Sequence, residues 1–258
     1  MSLAETLKRS EAGQSNNSMG MLIRLGRAFF AVAMAAFGIQ FLIHALFAVG
    51  PGIGPPWTPA HPFWAYFTAI VSLAAAASFA TNIQVRCAAI VLAVAILVRV
   101  LWVYVPKLVA NPHDAGRWTS GAELLALCGA ALVLAGTHTT IRLGRFLFAL
   151  PLLVFGIQHF MYARYVATLV PSWIPGHLFW AYFVGAAFVA TTLSIATQIK
   201  ARLSAIWLGI MFLLWVLVLH LPRVAAAPHN GDEWTSAFVA LAMGGGAFLV
   251  AGTLKRAD

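Results

Sequence analysis

The sequence predicts an all-α integral membrane protein whose eight transmembrane helices form two parallel four-helix repeats. Three observations lead to this fold class. Apolar residues fill 62% of the 258 positions and charged residues only 9%, which is too few charges to cover a soluble domain of this size. Eight mainly apolar runs each approach the roughly 20 residues that cross a bilayer. The two halves of the chain also share a series of short motifs.

The order of the segments follows from hydropathy. Residues 1–23 are largely polar, and we expect them to form a disordered cytoplasmic tail. Residues 24–138 hold the first four-helix unit and residues 139–254 hold the second. The eight predicted spans are residues 28–48, 64–81, 86–105, 120–136, 146–162, 179–197, 203–221 and 236–252.

The internal repeat rests on motifs that recur in the same order in both halves. The string FGIQ occupies residues 37–40 and 155–158, FWAYF begins at residues 63 and 179, and WTS begins at residues 118 and 234. Each unit has an even number of spans, so both units enter the membrane from the same side and the repeat is parallel. A soluble helical repeat would need polar outer stripes that these segments lack.

Basic residues predict the orientation of the chain. Placing both termini in the cytoplasm puts eleven lysines and arginines on that side and four on the other, as the positive-inside rule requires. The eleven are Lys8, Arg9, Arg24, Arg27, Arg86, Arg142, Arg145, Lys200, Arg202, Lys255 and Arg256, and the four are Lys107, Arg117, Arg164 and Arg223. We expect a multi-pass protein of the bacterial inner membrane. Because the basic residues form no stripe, nucleic acid is not an expected partner.

Four segments of the second half carry a resemblance to a known family. They are residues 156–160 (GIQHF), 171–175 (PSWIP), 220–223 (HLPR) and 233–236 (EWTS). Each half of the chain resembles the DoxX and DoxX-like membrane proteins, and the resemblance covers nearly all of residues 25–253. It implies a four-helix unit and an association with quinone-linked oxidation of small sulfur compounds or with membrane oxidoreductase complexes. Two fused units depart from the single-unit members of the family.

Seven of the eight histidines are expected in the outer half of the membrane or in outer loops. They are His44, His61, His113, His159, His177, His220 and His229. Imidazole nitrogens can bind a metal or haem or donate to a quinone carbonyl. No HxxH or HExxH spacing is present, so solvated loop histidines are favoured over a metal site for most of them.

Polar residues inside the spans are the strongest candidates for a binding site, because such residues usually face a protein interior or a cavity. Gln40 and His44 lie four residues apart and therefore share a helical face. Gln158 begins the corresponding pair in the second half, beside His159. Hydrogen bonds that only fasten the helices are the alternative role for these residues.

Arg99 and Glu123 are charged residues within predicted spans. A paired charge is the arrangement that membranes tolerate, so we expect the two side chains to form an ion pair. Their counterparts in the second half are Trp215 and Val239, so both charges are absent there. A competing explanation for Glu123 is a helix-capping box that starts at Ser120.

The leading hypothesis is a quinone-interacting subunit of a membrane redox system, which would work with a separate redox partner subunit. Seven residues are expected to bind the quinone: Gln40, His44, Arg99, Glu123, Gln158, His159 and His220. Seven tryptophans expected near the outer face are typical of an aromatic belt or of a pocket for a flat ligand: Trp57, Trp64, Trp102, Trp118, Trp173, Trp180 and Trp234. The rivals are a carrier or permease for a small solute and a membrane scaffold for soluble enzymes.

Overall fold

A computed structural model describes the backbone of residues 3–47 and 61–254, and side chains from 17 to 46 and from 63 to 254. All regular secondary structure in these ranges is helical. The helices are α1 (Leu3–Phe47), α2 (His61–Thr81), α3 (Val85–Arg99), α4 (Val105–Ala110), α5 (Ala115–Ala135), α6 (His138–Met161), α7 (Ala163–Leu169), α8 (His177–Thr197), α9 (Ala201–Trp215), α10 (Leu221–Ala226) and α11 (Gly231–Gly252). Trp57, Lys255, Arg256 and the side chains of Lys8, Arg9 and His61 lie outside the described residues.

Eight of the described segments are long enough and apolar enough to cross a membrane, which confirms the predicted all-helical class and the number of candidate spans. They are Asn17–Leu46, Phe63–Thr81, Val85–Ala110, Ala115–Ala135, His138–Met161, His177–Thr197, Ala201–Ala226 and Gly231–Gly252.

The helices begin before the predicted spans, and the starts of α1 and α5 correct two expectations. Helix α1 begins at Leu3, so residues 3–23 are helical where a disordered tail was expected. No proline interrupts the chain between Leu3 and Phe47, and extending an existing helix costs far less than starting one. Helix α5 begins at Ala115, because the side chain of Asp114 accepts a hydrogen bond from the backbone N–H of Arg117. Ser120 is therefore inside the helix, and the predicted capping box at Ser120 is wrong.

Two long helices each contain a π-helical turn that hydropathy did not indicate. One turn, Val100–Tyr104, joins α3 to α4, and the other, Val216–His220, joins α9 to α10. Pro106 and Pro222 follow the turns as the second residues of α4 and α10. A proline has no N–H to donate and its ring displaces the preceding carbonyl, so a widened turn lets the helix continue past it.

The long helices form a closed ring, and two helices on opposite sides of this ring contact each other across its centre. Each helix packs against the next in the order α1, α2, α3, α5, α6, α8, α9, α11, and α11 closes the ring on α1. Helices α5 and α11 also pack against each other across the ring. They divide it into a first lobe around α1, α2 and α3 and a second lobe around α6, α8 and α9.

Glycines allow the backbone of α1 to approach α11 closely and the backbone of α6 to approach α5 closely. A Cβ built on Gly26 of α1 would lie 2.6 Å from the carbonyl oxygen of Gly245 on α11. A Cβ on Gly144 of α6 would lie 2.6 Å from the carbonyl oxygen of Gly129 on α5. Only a residue without a side chain fits such a contact, and contacts of this kind drive association between helices that are surrounded by lipid.

The Gly26→Ala variant is predicted to lower the apparent melting temperature of the detergent-solubilised protein by several degrees. The added methyl group meets the backbone of α11, and overpacking of this kind costs about 1–3 kcal/mol. Gly20→Ala on the same helix is the matched control, because no atom lies within 4 Å of its Cβ position. Equal melting temperatures for the two variants would contradict the close α1–α11 contact.

Candidate functional site

The second lobe encloses a cavity of about 1570 Å³. Its walls are α5, α6, α8, α9 and α11, and residues of α7 and of the following segment, Val170 to Ile174, cover one end. This covered end is held in place by Arg223 of α10, whose guanidinium donates a 2.9 Å hydrogen bond to the carbonyl of Leu169. The indole N–H of Trp180 donates to the carbonyl of Pro175 and fastens the same segment to α8.

Polar side chains gather in the half of the cavity nearest α7. Five of them define what we call the polar end: Thr119, Glu123, Gln158, His159 and His220. Thr119 and Glu123 lie one turn apart on α5 and therefore share a face. The structure thus brings together four of the seven predicted site residues and adds Thr119.

Gln158 joins two walls of the polar end. Its amide nitrogen donates to the carbonyl of Ala115 at 2.9 Å, and its amide oxygen accepts from the Thr119 hydroxyl at 2.9 Å. Both ends of the amide are therefore engaged with α5. The primary role of Gln158 in the structure is to fasten α6 to α5, which was the structural alternative for this residue.

His159 presents a defined nitrogen to the cavity. Its Nδ1 lies 2.8 Å from the carbonyl oxygen of Phe155. A carbonyl can only accept a hydrogen bond, so Nδ1 carries the hydrogen, and in the neutral ring Nε2 is left as an acceptor. The ring packs edge-on against Phe188 with 5.3 Å between centroids, which limits its rotation.

Glu123 and His220 also have hydrogen-bonding capacity that the described residues do not use. His220 ends the π-helical turn that follows α9, and its Nδ1 is buried without a hydrogen-bond partner. Glu123 is half-buried and makes no hydrogen bond or ion pair with any described residue. Buried polar groups are normally paired, so these two side chains are suited to bind a polar group that enters the cavity.

The middle of the cavity is apolar and largely aromatic, and its far end is lined by Thr191, Ser194, Lys200 and Ser204. Phe188, Phe212 and Trp215 form a cluster with ring centroids 5.2 to 5.9 Å apart. Leu208 and Met243 extend the same lining further from α7. Sequence reasoning missed these residues, because an apolar residue on an apolar helix carries no signal that it faces a cavity. Thr119 could have been found, since it lies one turn before Glu123 within the WTS motif.

The other three predicted site residues lie in the first lobe and do not line this cavity. The Gln40 amide oxygen is 3.5 Å from the hydroxyl of Thr235 on α11. The guanidinium carbon of Arg99 lies 5.0 Å from the ring centroid of Phe41, and its Nε is buried without a hydrogen-bond partner. His44 is half-buried on α1. Three of the seven predicted site residues therefore lie in the first lobe, and four line the second-lobe cavity.

The predicted ion pair between Arg99 and Glu123 is wrong. The one salt bridge among the described residues joins Arg117 to Asp114. Gly121 of α5 faces Tyr104, whose Cβ lies 3.5 Å from the Cβ position of that glycine. Glu123 is two residues further along, about 200° around the helix, and faces the second-lobe cavity. Arg99 is stabilised instead by the face of Phe41.

Two of the predicted outer tryptophans hold loops in place. The indole N–H groups of Trp118 and Trp234 donate to the carbonyls of Pro112 and Pro228 in the preceding loops. These bonds fasten the loops to the starts of α5 and α11.

In the described part of the chain, no group of three or more His, Cys, Asp or Glu side chains is arranged to hold a metal ion.

Comparison of the chain with protein-family models, with curated proteins and with solved structures finds no match. The functional argument therefore rests on the cavity and the residues that line it.

The hydroxyl of Thr119 and the amide of Gln158 are predicted to be energetically coupled. A double-mutant cycle with Thr119→Val and Gln158→Leu should give a coupling energy of about 0.6 to 1.7 kcal/mol, the range for hydrogen bonds between membrane helices. Unfolding in a mixed-detergent titration measures it. Thr235→Val with Gln40→Leu is the matched control, and its 3.5 Å contact should give less coupling. Equal values for the two cycles would contradict the assignment of Gln158 as the bridge.

Proposed function

We propose that the protein is a multi-pass protein of the bacterial inner membrane that binds a quinone in the second-lobe cavity, as a DoxX-like subunit of a membrane redox system. The observation that carries this proposal is the polar end, where His159, Glu123 and His220 have unused hydrogen-bonding capacity at one end of an apolar, aromatic cavity. A quinone has the matching form, with polar oxygens on a flat ring.

The bound group would supply the two-electron, two-proton redox chemistry, and the polar end supplies hydrogen-bond partners. Neutral His159 accepts a hydrogen bond at Nε2 because Nδ1–H is committed to the Phe155 carbonyl. Glu123 accepts when ionised and donates when protonated, so it can hold a proton next to a ring oxygen. His220 offers a ring nitrogen from the facing wall. Electron exchange would take place with a separate redox partner subunit.

Cavity size favours a lipid-like ligand over a small solute. Pockets for drug-sized molecules usually measure about 300–1,000 Å³, and this cavity is larger, at about 1570 Å³. Its lining is mostly hydrocarbon, which suits a molecule that carries a long chain. A carrier for a small polar solute would require polar groups along the whole path, whereas the middle of this cavity is lined by Phe188, Phe212 and Trp215.

Gln40, His44 and Arg99 are not part of the proposed site. Arg99 was expected to bind the quinone, but it lies in the first lobe over Phe41. Arg99 lies on the first-lobe side of α5, whereas Glu123 projects from the opposite side of the same helix. The proposal therefore retains Glu123, Gln158, His159 and His220 from the predicted set.

We further propose that the chain consists of two parallel four-helix units with both termini in the cytoplasm. Contacts at corresponding positions support the repeat. Thr119 approaches Gln158 as Thr235 approaches Gln40. Both π-helical turns also precede a proline at corresponding positions.

A quinone is predicted to copurify with the protein from native membranes in mild detergent, and to be detected by mass spectrometry of a solvent extract. His159→Phe keeps the ring packing but removes Nε2, and it should lower the retained quinone by roughly tenfold, the value of one hydrogen bond to a buried group. His44→Phe is the matched control, because His44 does not line the cavity. A quinone-free wild-type protein would overturn the proposal and favour a carrier or a scaffold.

The proposed orientation predicts which loops a membrane-impermeant maleimide reaches in intact cells stripped of the outer membrane. In a Cys87→Ser, Cys128→Ala background, Asn111→Cys should be labelled and Gln198→Cys should be labelled only after lysis. Both positions are exposed between helices. Labelling of Gln198→Cys before lysis would reverse the assigned orientation.

A further inference from the structure

The second-lobe cavity has an opening to the side, between α8 and α9. Trp207, Leu214 and Phe183 are 62%, 52% and 51% exposed on the outer surface of these helices. The same three residues line the cavity together with Phe188 and Leu208, which are only 2% and 3% exposed. The interior of the lobe is therefore continuous with the outer surface of the helical ring.

The other seams of the second lobe are closed by glycine contacts. A Cβ built on Gly156 of α6 would lie 2.7 Å from Val189 on α8, and a Cβ built on Gly209 of α9 would lie 2.6 Å from Phe248 on α11. The described bond between α8 and α9 is a 3.0 Å hydrogen bond from Ser204 to Thr191, close to the loop that joins them. That bond fastens the α8–α9 seam at one end, and Phe188 of α8 packs against Phe212 and Trp215 of α9 further along it. The opening lies beside these rings, where Trp207 and Leu214 are exposed.

The cavity also has the length of a bilayer. Both Lys200, at the start of α9, and Arg223, in α10, line it. These residues are 23 positions apart in one continuous helical rod, or about 35 Å by helical rise. The hydrocarbon core of a bilayer is roughly 30 Å thick. A ligand with its head at the polar end would have space for a chain along the full depth of the membrane.

We propose that the ligand is a single-chain amphiphile, a quinone with a long polyprenyl chain, that enters from the bilayer through the α8–α9 opening. The inference rests on the proposed function and adds the class of quinone and its route. The ring moves to His159 and Glu123, while the chain lies along Trp207 and Leu208 and emerges between the helices. Such a chain is already in hydrocarbon and loses little solvation on entering an apolar cavity.

A bulky side chain in the opening tests the route. Ala190 of α8 is exposed and lines the cavity, whereas Ala186, one turn earlier, is exposed but does not line it. We would reconstitute wild type, Ala190→Trp and Ala186→Trp in phosphatidylcholine vesicles and confirm equal helicity and melting temperature. Two photoreactive quinones with the same ring would be added, one with a polyprenyl chain and one without, and labelling would be followed over time.

The chain-bearing quinone should label Ala190→Trp at least about tenfold more slowly than wild type, equivalent to about 1.4 kcal/mol of added barrier. It should label Ala186→Trp at the wild-type rate. The chainless quinone has to pass the same opening, so it should also label Ala190→Trp more slowly than the other two proteins. Equal labelling of Ala190→Trp and wild type by the chain-bearing quinone overturns the route and leaves quinone binding intact.

Absence of labelling of the wild type by either quinone overturns the proposed function, and the opening is then tested without a quinone. A phospholipid with a carbene precursor at the end of its acyl chain should label the buried residues Phe188 and Leu208 as well as the exposed Trp207. Labelling of surface residues alone, such as Leu193 and Ile199, which do not line the cavity, would overturn the opening itself.

Discussion

The architecture depends on the close contact of helix backbones at the centre of the ring. Helices α5 and α11 are the most buried of the long helices, and small residues allow α6 to approach α5 and α1 to approach α11. Helices that associate within lipid gain little from the hydrophobic effect, so contact between backbones must provide much of the attraction. Because α5 and α11 also contact each other, the ring is divided into two lobes, and a ligand cavity can form in one lobe without opening the other.

The two lobes use corresponding positions for different purposes. Trp215 packs against Phe188 and Phe212 and lines the second-lobe cavity. Its counterpart in the first lobe is Arg99, whose guanidinium lies over Phe41. An aromatic ring leaves an apolar wall, whereas a guanidinium requires an electron-rich face or a polar partner. The exchange of one side chain thus helps to distinguish a lobe with an apolar cavity from a lobe with a buried charge.

Stability and proposed binding share the polar end of the cavity. Both ends of the Gln158 amide form hydrogen bonds with α5, and Nδ1 of His159 donates a hydrogen bond to the carbonyl of Phe155. These bonds orient the neighbouring groups and leave Nε2 of His159 and the carboxyl of Glu123 for a ligand, with the ring of His220 beside them. Rigid placement of a few polar groups in an apolar cavity is the usual way in which a binding site orients a ligand.

The sequence by itself determined the helical class and the number of candidate spans, because span length and hydropathy are local properties of each segment. It also identified Glu123, Gln158, His159 and His220, since polar residues are conspicuous among apolar ones. Only the tertiary structure decided that Arg99 and Glu123 face different lobes, because the rotation of α5 about its axis depends on its contacts with neighbouring helices, such as Gly129 with α6 and Gly121 with Tyr104. The apolar lining at Phe188 and Trp207 also required the tertiary structure, since hydropathy does not distinguish a residue that faces a cavity from one that faces lipid.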